Sequence, residues 1–200
     1  MIVKQLFIMP NWCTTSYALT GERKEIRSLY NKMKRLQGRK TPLVPNGFGV
    51  RWLGCLVKSL GRDPQSVYCR GEWSNVKLLE DGTLTFDTMH AWSRPAEVEM
   101  LLQSVYPSVK IWFIEEELGM DIFVTNDESG QFFPEQIIID EESEGMEYYT
   151  KEGALKHLSE LAGKTILTWE EAEEFVKAVN EAQDENDGEG HIWLHEAEIL

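Results

Sequence analysis

Trp12-Cys-Thr-Thr-Ser-Tyr-Ala-Leu-Thr20, then Gly21, then Glu22-Arg-Lys-Glu-Ile-Arg-Ser-Leu-Tyr-Asn-Lys-Met-Lys-Arg-Leu36 is the stretch that decides the fold. Its first part is rich in Thr and aromatic residues, which favour strands. Cys13, Thr15, Tyr17 and Leu19 fall on one face at a period of two. After Gly21 the period changes. Ile26, Leu29, Tyr30, Met33 and Leu36 form one face of a helix, and Arg23, Lys24, Arg27, Lys32, Lys34 and Arg35 occupy the rest of its surface. Gly38 supplies the stop that a helix C-terminus favours. A strand running directly into an amphipathic helix opens an α+β domain.

Working outward, residues 39–50 carry Pro42, Pro45, Gly47 and Gly49 and read as a loop. A short helix is expected from Val50 to Leu60, stopped by Gly61 and Asp63-Pro64. Trp73–Glu80 and Thr83–His90 flank Asp81-Gly82 as a hairpin with a two-residue turn. Ser93-Arg-Pro-Ala96 starts a second amphipathic helix, with Ser93 as its cap and Pro95 in its first turn. Val98, Leu101, Leu102 and Val105 point inward, and Pro107 ends it. Val109–Ile114 is a strand, Glu115, Glu116 and Glu117 an acidic turn, and 121–125 and 131–140 two more strands around the loop Asn126–Gly130. Pro134 makes the last of these an edge strand or an interrupted one. Strand, helix, strand, strand, helix, strand is the split βαβ order of a ferredoxin-like sandwich, one antiparallel sheet with two helices on one face. Here it carries a long insertion at 38–72 and extra strands.

The C-terminal quarter differs. A helix from Thr150 runs through Leu155, Leu158 and Leu161 to Gly163. Thr168-Trp-Glu-Glu171 is a capping box, in which a hydroxyl and a carboxylate satisfy each other's free backbone N–H groups. The helix after it buries Ala172, Phe175, Val176 and Val179. Asp184–Gly190 reads as a flexible acidic loop and His191–His195 as a last strand. The expected organisation is an α+β domain over 9–140, with an acidic, mainly helical extension over 145–200 packed on it.

The chain has 200 residues, 42% of them hydrophobic, with seven Trp, enough for a real core. No stretch approaches the roughly 20 apolar residues of a membrane helix, so no membrane partner is expected. The segment Met1–Met9 is too short for a signal peptide and has no small-residue cleavage site, which points to a cytoplasmic protein. Cys13, Cys55 and Cys69 are odd in number with no pair at metal-binding spacing, and read as reduced core thiols. The net charge of −14 conceals a split: residues 1–112 hold 16 Lys+Arg against 9 Asp+Glu, and residues 113–200 hold 4 against 25.

Met9-Pro-Asn-Trp-Cys13, leading into a strand that ends at Gly21, resembles the opening of the YubB-like family of phage and plasmid proteins. Phe86-Asp-Thr88 followed by Ala91-Trp-Ser-Arg-Pro95 is similar to a second motif of that family, and Glu115-Glu-Glu-Leu-Gly-Met120 to its acidic segment. The resemblance spans about Met9 to Val124. It departs at Thr15, where the family has Asn, and at Met89 and His90, which are inserted before Ala91-Trp92. The tryptophan-rich segment before the hairpin is reduced to Trp73. The resemblance implies a ferredoxin-like domain, a mobile-element setting and a natural start at Met9, with residues 1–8 dispensable. It implies no activity and no iron–sulfur cluster, whose usual four thiolates three cysteines cannot supply.

Candidate chemistry is sparse. Cys13 could be a nucleophile only with a lowered pKa and a nearby base, and its inward position favours packing. His191 and His195 lack the order of a zinc motif and, on a strand, stand roughly 13 Å apart by the ~3.3 Å rise. Glu115, Glu116 and Glu117 with Asp121 could hold a hard cation, although such a turn is ordinarily just solvated. No phosphate loop, dinucleotide fingerprint or serine elbow is present, and no cofactor or metal site emerges from spacing. Trp92 with Arg94 and His90 is either a structural strand-to-helix junction or a surface recognition patch, with Glu115, Glu116 and Glu117 as its acidic neighbours.

Three functional readings follow. The first is a non-enzymatic accessory or interaction protein with a protein partner. The second is a nucleic-acid binder using the basic helix at 22–37, or an acidic mimic of nucleic acid; a pI near 4.7 and the missing RNA-binding aromatic signature weigh against the former. The third is an enzyme built on carboxylates or Cys13. The first is the reading carried forward.

Overall fold

The computed structural model describes residues 11–185 and 189–200. Met9-Pro10 of the opening motif, the proposed dispensability of residues 1–8, and positions 186–188 of the acidic loop lie outside the described residues. The protein is α+β, and its chain divides into two compact units at Asn126/Asp127. Sequence alone placed that boundary near residue 140. Counted on the observed boundary, the first unit holds 16 Lys+Arg against 13 Asp+Glu and the second 4 against 21, so the charge is segregated by unit.

In the first unit, β1 (Trp12–Thr20) leads to α1 (Arg23–Gln37). A 3-10 turn and α2 (Leu53–Ser59) occupy the insertion. The hairpin of β2 (Gly71–Leu78) and β3 (Leu84–Ala91) follows, then α3 (Ala96–Val105), β4 (Lys110–Glu117) and β5 (Ile122–Thr125). Within this unit the strands lie in the order β2-β3-β1-β4-β5, each antiparallel to its neighbour. The alternation in β1 does what its sequence requires. Tyr17 and Leu19 join Trp73, Leu84, Phe86 and Phe113 of the sheet in one core with Ile26, Leu29, Met33 and Leu36 of α1 and Val98, Leu101 and Leu102 of α3.

Four expectations are corrected. The hairpin loop is one residue longer than a two-residue turn, because Leu79 donates its N–H to the Thr83 carbonyl at 2.8 Å and leaves Glu80, Asp81 and Gly82 as the loop. Gly82 takes φ +94° there, a conformation that glycine adopts without strain. Ser93 does not cap α3: the helix begins only after Pro95, which takes the N-cap position, and no side chain accepts from the first turn. Val105 of that helix is exposed rather than inward. The acidic run is not a turn, since β4 continues through Glu117 and pairs Glu115 with Thr15 and Glu116 with Thr14.

The second unit holds β6 (Ile137–Glu141), β7 (Gly145–Tyr149), α4 (Lys151–Ala162), α5 (Trp169–Glu185) and β8 (Ile192–Glu196). Its sheet has the order β7-β6-β8, all antiparallel. Ile137, Ile139 and Ile192 of that sheet share a core with Ala154, Leu158, Ala172 and Val176 of the two helices. The capping box forms: Glu171 accepts the Thr168 N–H at 3.3 Å, and the Thr168 hydroxyl accepts the Glu171 N–H at 3.2 Å. Strand β7 has no counterpart in the sequence reading. The strand expected over 131–140 shrinks to β6, because buried Asp127 accepts the N–H groups of Gln131, Phe132 and Phe133 at 3.1, 2.6 and 2.8 Å and pulls them out of any ladder.

Asp127→Ala is therefore expected to destabilise the second unit by at least about 3 kcal/mol, since several charge-assisted hydrogen bonds are lost together. Amide hydrogen exchange is the check. Faster exchange throughout β6 to β8 is expected, and unchanged protection there would remove Asp127 from this role.

Candidate functional site

The register of β1 builds the site. Cys13 lies opposite His90 of β3, and Thr15 lies between Thr88 of β3 and Glu115 of β4. Residues two apart on a strand face the same way. Cys13, Thr15, His90 and Glu115 therefore share the helix-side face of the sheet, at the end where β1 begins. Cys13 and His90 are 0% exposed and Glu115 is 5% exposed. Cys13 Sγ, a ring nitrogen of His90 and a carboxylate oxygen of Glu115 lie within 4.8 Å of one another.

The turn after β3 closes this end. Trp92 takes φ +70°, a left-handed conformation that costs a non-glycine residue on the order of 1–2 kcal/mol. In exchange its backbone is fully used. The Trp92 N–H donates to the Asn11 carbonyl at 2.9 Å, and its carbonyl accepts the Cys13 thiol at 3.1 Å. Two residues on, the Arg94 N–H donates to Glu115 Oε1 at 2.7 Å. The Arg94 guanidinium pairs with Glu99, stands 3.9 Å through Nε from Glu115 Oε2, and lies over the Phe113 ring at 3.8 Å. Tyr17 completes the knot by donating its hydroxyl to Glu99 at 2.7 Å.

Burial dominates the electrostatics. It raises the Glu99 and Glu115 carboxyls above their ordinary range, against the opposing pull of their hydrogen bonds and of Arg94. Burial, then the charges of Glu115 and Glu117, push the Cys13 thiol up to about 11. Burial chiefly, with Arg94 adding to it, lowers His90 to about 4, although the Ser93 backbone works the other way. A neutral imidazole beside a protonated thiol is the reverse of an activated cysteine–histidine pair, which needs a low thiol pKa. His90 Nε2 lies 2.7 Å from the Thr15 hydroxyl, while buried Nδ1 has no atom in hydrogen-bonding geometry.

The expected surface patch is thereby divided. His90 and Glu115 are buried because the even period of β3 and β4 turns them toward the helices, so neither can touch a macromolecule. Arg94 is largely consumed by its carboxylates. Trp92, at 38% exposure, and half-buried Glu116 and Glu117 remain accessible. The cluster of Cys13 with His90 and Glu115 escaped the sequence reading because its members come from three strands and no local spacing joins them. His191 and His195 form no joint site. Both ring nitrogens of His191 are engaged, Nδ1 with Glu142 at 3.1 Å and Nε2 with Asp184 at 3.0 Å, which raises its pKa and leaves no lone pair for a metal. Set against known protein families, curated proteins and solved structures, the chain matches none. Among the described residues no helix is long and apolar enough to cross a membrane.

His90 carries the pH dependence of this end of the sheet. Its folded pKa lies below its unfolded value of 6.5, so its contribution is present above pH 6.5 and lost as pH falls toward about 4. Glu99 and Glu115, with raised pKa values, slope the other way. In metal-free protein, acidification over that window is expected to cost wild type on the order of 2–3 kcal/mol more than His90→Gln. Urea unfolding of both proteins at several pH values measures this, and parallel profiles would refute it.

Proposed function

We propose that this chain is a non-enzymatic accessory or interaction protein whose first unit is a ferredoxin-like sandwich of the YubB-like kind, drawn from a mobile element and working in the cytoplasm. The strand order β2-β3-β1-β4, reached through strand, helix, strand, strand, helix, strand, supports the fold assignment. One observation carries the functional reading: the groups that could do chemistry are sealed in, while aromatic surface beside them is left out. Cys13 and His90 are inaccessible and the thiol keeps its proton at neutral pH. Trp92, Trp12 and Met89 are exposed around the same turn. Exposed aromatic and Met side chains are what protein interfaces are enriched in.

A second reading, nucleic-acid binding, draws on α1. Arg23, Lys24, Arg27, Lys34 and Arg35 are exposed there, with Arg39 and Lys40 just beyond, and among the described residues none of the seven is in an ion pair. Only Lys32 is turned inward, donating to the Ser59 carbonyl at 3.0 Å.

The two readings separate in one experiment with immobilised full-length protein. Retention of a protein partner that Trp92→Ala abolishes, alongside no retention of labelled DNA or RNA at about 50 mM salt, is the expected result. Retention of nucleic acid that falls steeply with salt would transfer the assignment to α1. Turnover of a small molecule that Cys13→Ala removes would overturn both.

A further inference from the structure

We propose that Cys13, His90 and Glu115 bind one divalent transition-metal ion of borderline softness, Zn2+ foremost, in a closed site that ties β1, β3 and β4 together. The proposal stands apart from the partner-binding reading and does not depend on it. The donor set selects the ion. A thiolate with an imidazole nitrogen suits zinc and its neighbours, whereas calcium and magnesium take oxygen ligands. Tetrahedral zinc spaces its ligand atoms roughly 3.3–3.8 Å apart, given bonds of about 2.0–2.3 Å. The three donors, all within 4.8 Å of one another, stand about 1 Å beyond that spacing at most.

His90 is prepared for this role. Its Nε2 is held by the Thr15 hydroxyl at 2.7 Å, and its buried Nδ1 makes no hydrogen bond of good geometry, with only the Ser93 backbone near the ring. A proton on Nε2, donated to Thr15 Oγ1, leaves the Nδ1 lone pair for a metal. A second ring hydrogen bond of this kind is what fixes the tautomer of metal-bound histidines. An unpartnered polar atom at 0% exposure is costly, and a ligand at Nδ1 removes that cost.

The charge count agrees. The charged groups facing the site are Glu115, Glu99 and Arg94, with half-buried Glu117 at the rim. Binding releases the Cys13 proton to solvent as the sulfur–metal bond forms. Thiolate, Glu115 and Glu99 then supply three negative charges, and Arg94 with a divalent ion supplies three positive ones. Glu117, half-buried at the rim, stays outside this balance and faces solvent. The Trp92 carbonyl, which accepts the thiol hydrogen at 3.1 Å, gives up that bond. Cys13, His90 and Glu115 are all buried, which suits a role in holding β1, β3 and β4 together.

Full-length protein stripped with a chelator and titrated with Co2+ tests this. The expected result is one equivalent bound, with thiolate-to-cobalt charge-transfer absorption, the intense visible bands of tetrahedral cobalt, displacement by Zn2+, and a Tm several degrees higher in Zn2+ than in chelator. Cys13→Ser should abolish the charge-transfer band and weaken binding at least tenfold, while His191→Ala, altering a histidine of the second unit whose two ring nitrogens are engaged by Glu142 and Asp184, should leave both unchanged. Folding of each variant is checked by circular dichroism. If Cys13→Ser fails to fold, the Cys55→Ala/Cys69→Ala double variant, in which Cys13 is the last thiol, should keep the band. Folded wild type that shows no thiolate band overturns the site, as does a band that survives Cys13→Ser or disappears from the double variant.

Discussion

Strand β1 is paired along almost its whole length on both sides, antiparallel to β3 and to β4. That double pairing sets the register on which the first unit depends. It places Tyr17 between Phe86 and Phe113, with the Tyr17 and Phe86 rings stacked 4.9 Å apart, and it brings Thr15 level with both Thr88 and Glu115. A slip of one residue would send Tyr17 and Leu19 to the opposite face and disperse the polar cluster at the strand's end. The hydrophobic alternation of β1 and the chemistry at its start therefore have one cause.

The carboxylates at the polar end of the sheet are tolerated because their partners are in place. Two carboxylates with raised pKa values would be a liability inside a core. They are tolerated because Arg94 offers its guanidinium to Glu99 and its backbone N–H to Glu115, and because Tyr17 adds a hydroxyl. Both arms of Arg94 reach their partners from a chain direction set by the left-handed Trp92. Locally unfavourable backbone is thus offset by the hydrogen-bonded carboxylates, and the aromatic side chain is carried to the surface by the same turn.

The α+β class, the strand-to-helix opening, both C-terminal helices and the capping box at Thr168 were legible in the sequence, because each is written in a local period or a short-range hydrogen bond. What was not legible depended on distant partners. Three consecutive glutamates look solvated until Arg94, twenty-one positions before Glu115, is seen to hold one of them. Residues 131–133 look like a strand until Asp127 is seen to capture their N–H groups. Ser93 has the chemistry of a cap, yet the helix starts two residues too late for its hydroxyl to serve, with Pro95 at the N-cap. Strand β7 is largely exposed and carries little of the apolar alternation that marks a half-buried strand. The grouping of Cys13 with His90 and Glu115 arises from cross-strand register alone, which no single segment encodes.

The segregation of charge between the units has a consequence for how the chain responds to its solvent. The second unit, with 4 cations against 21 anions, repels itself over distances of the order of the Debye length, about 8 Å at physiological ionic strength. Added electrolyte screens that repulsion and tightens the second unit. The first unit is nearer charge balance and its Arg94 ion pairs are largely shielded from solvent, so the same electrolyte acts on it less. The ionic composition around one polypeptide thus acts on its two halves unequally.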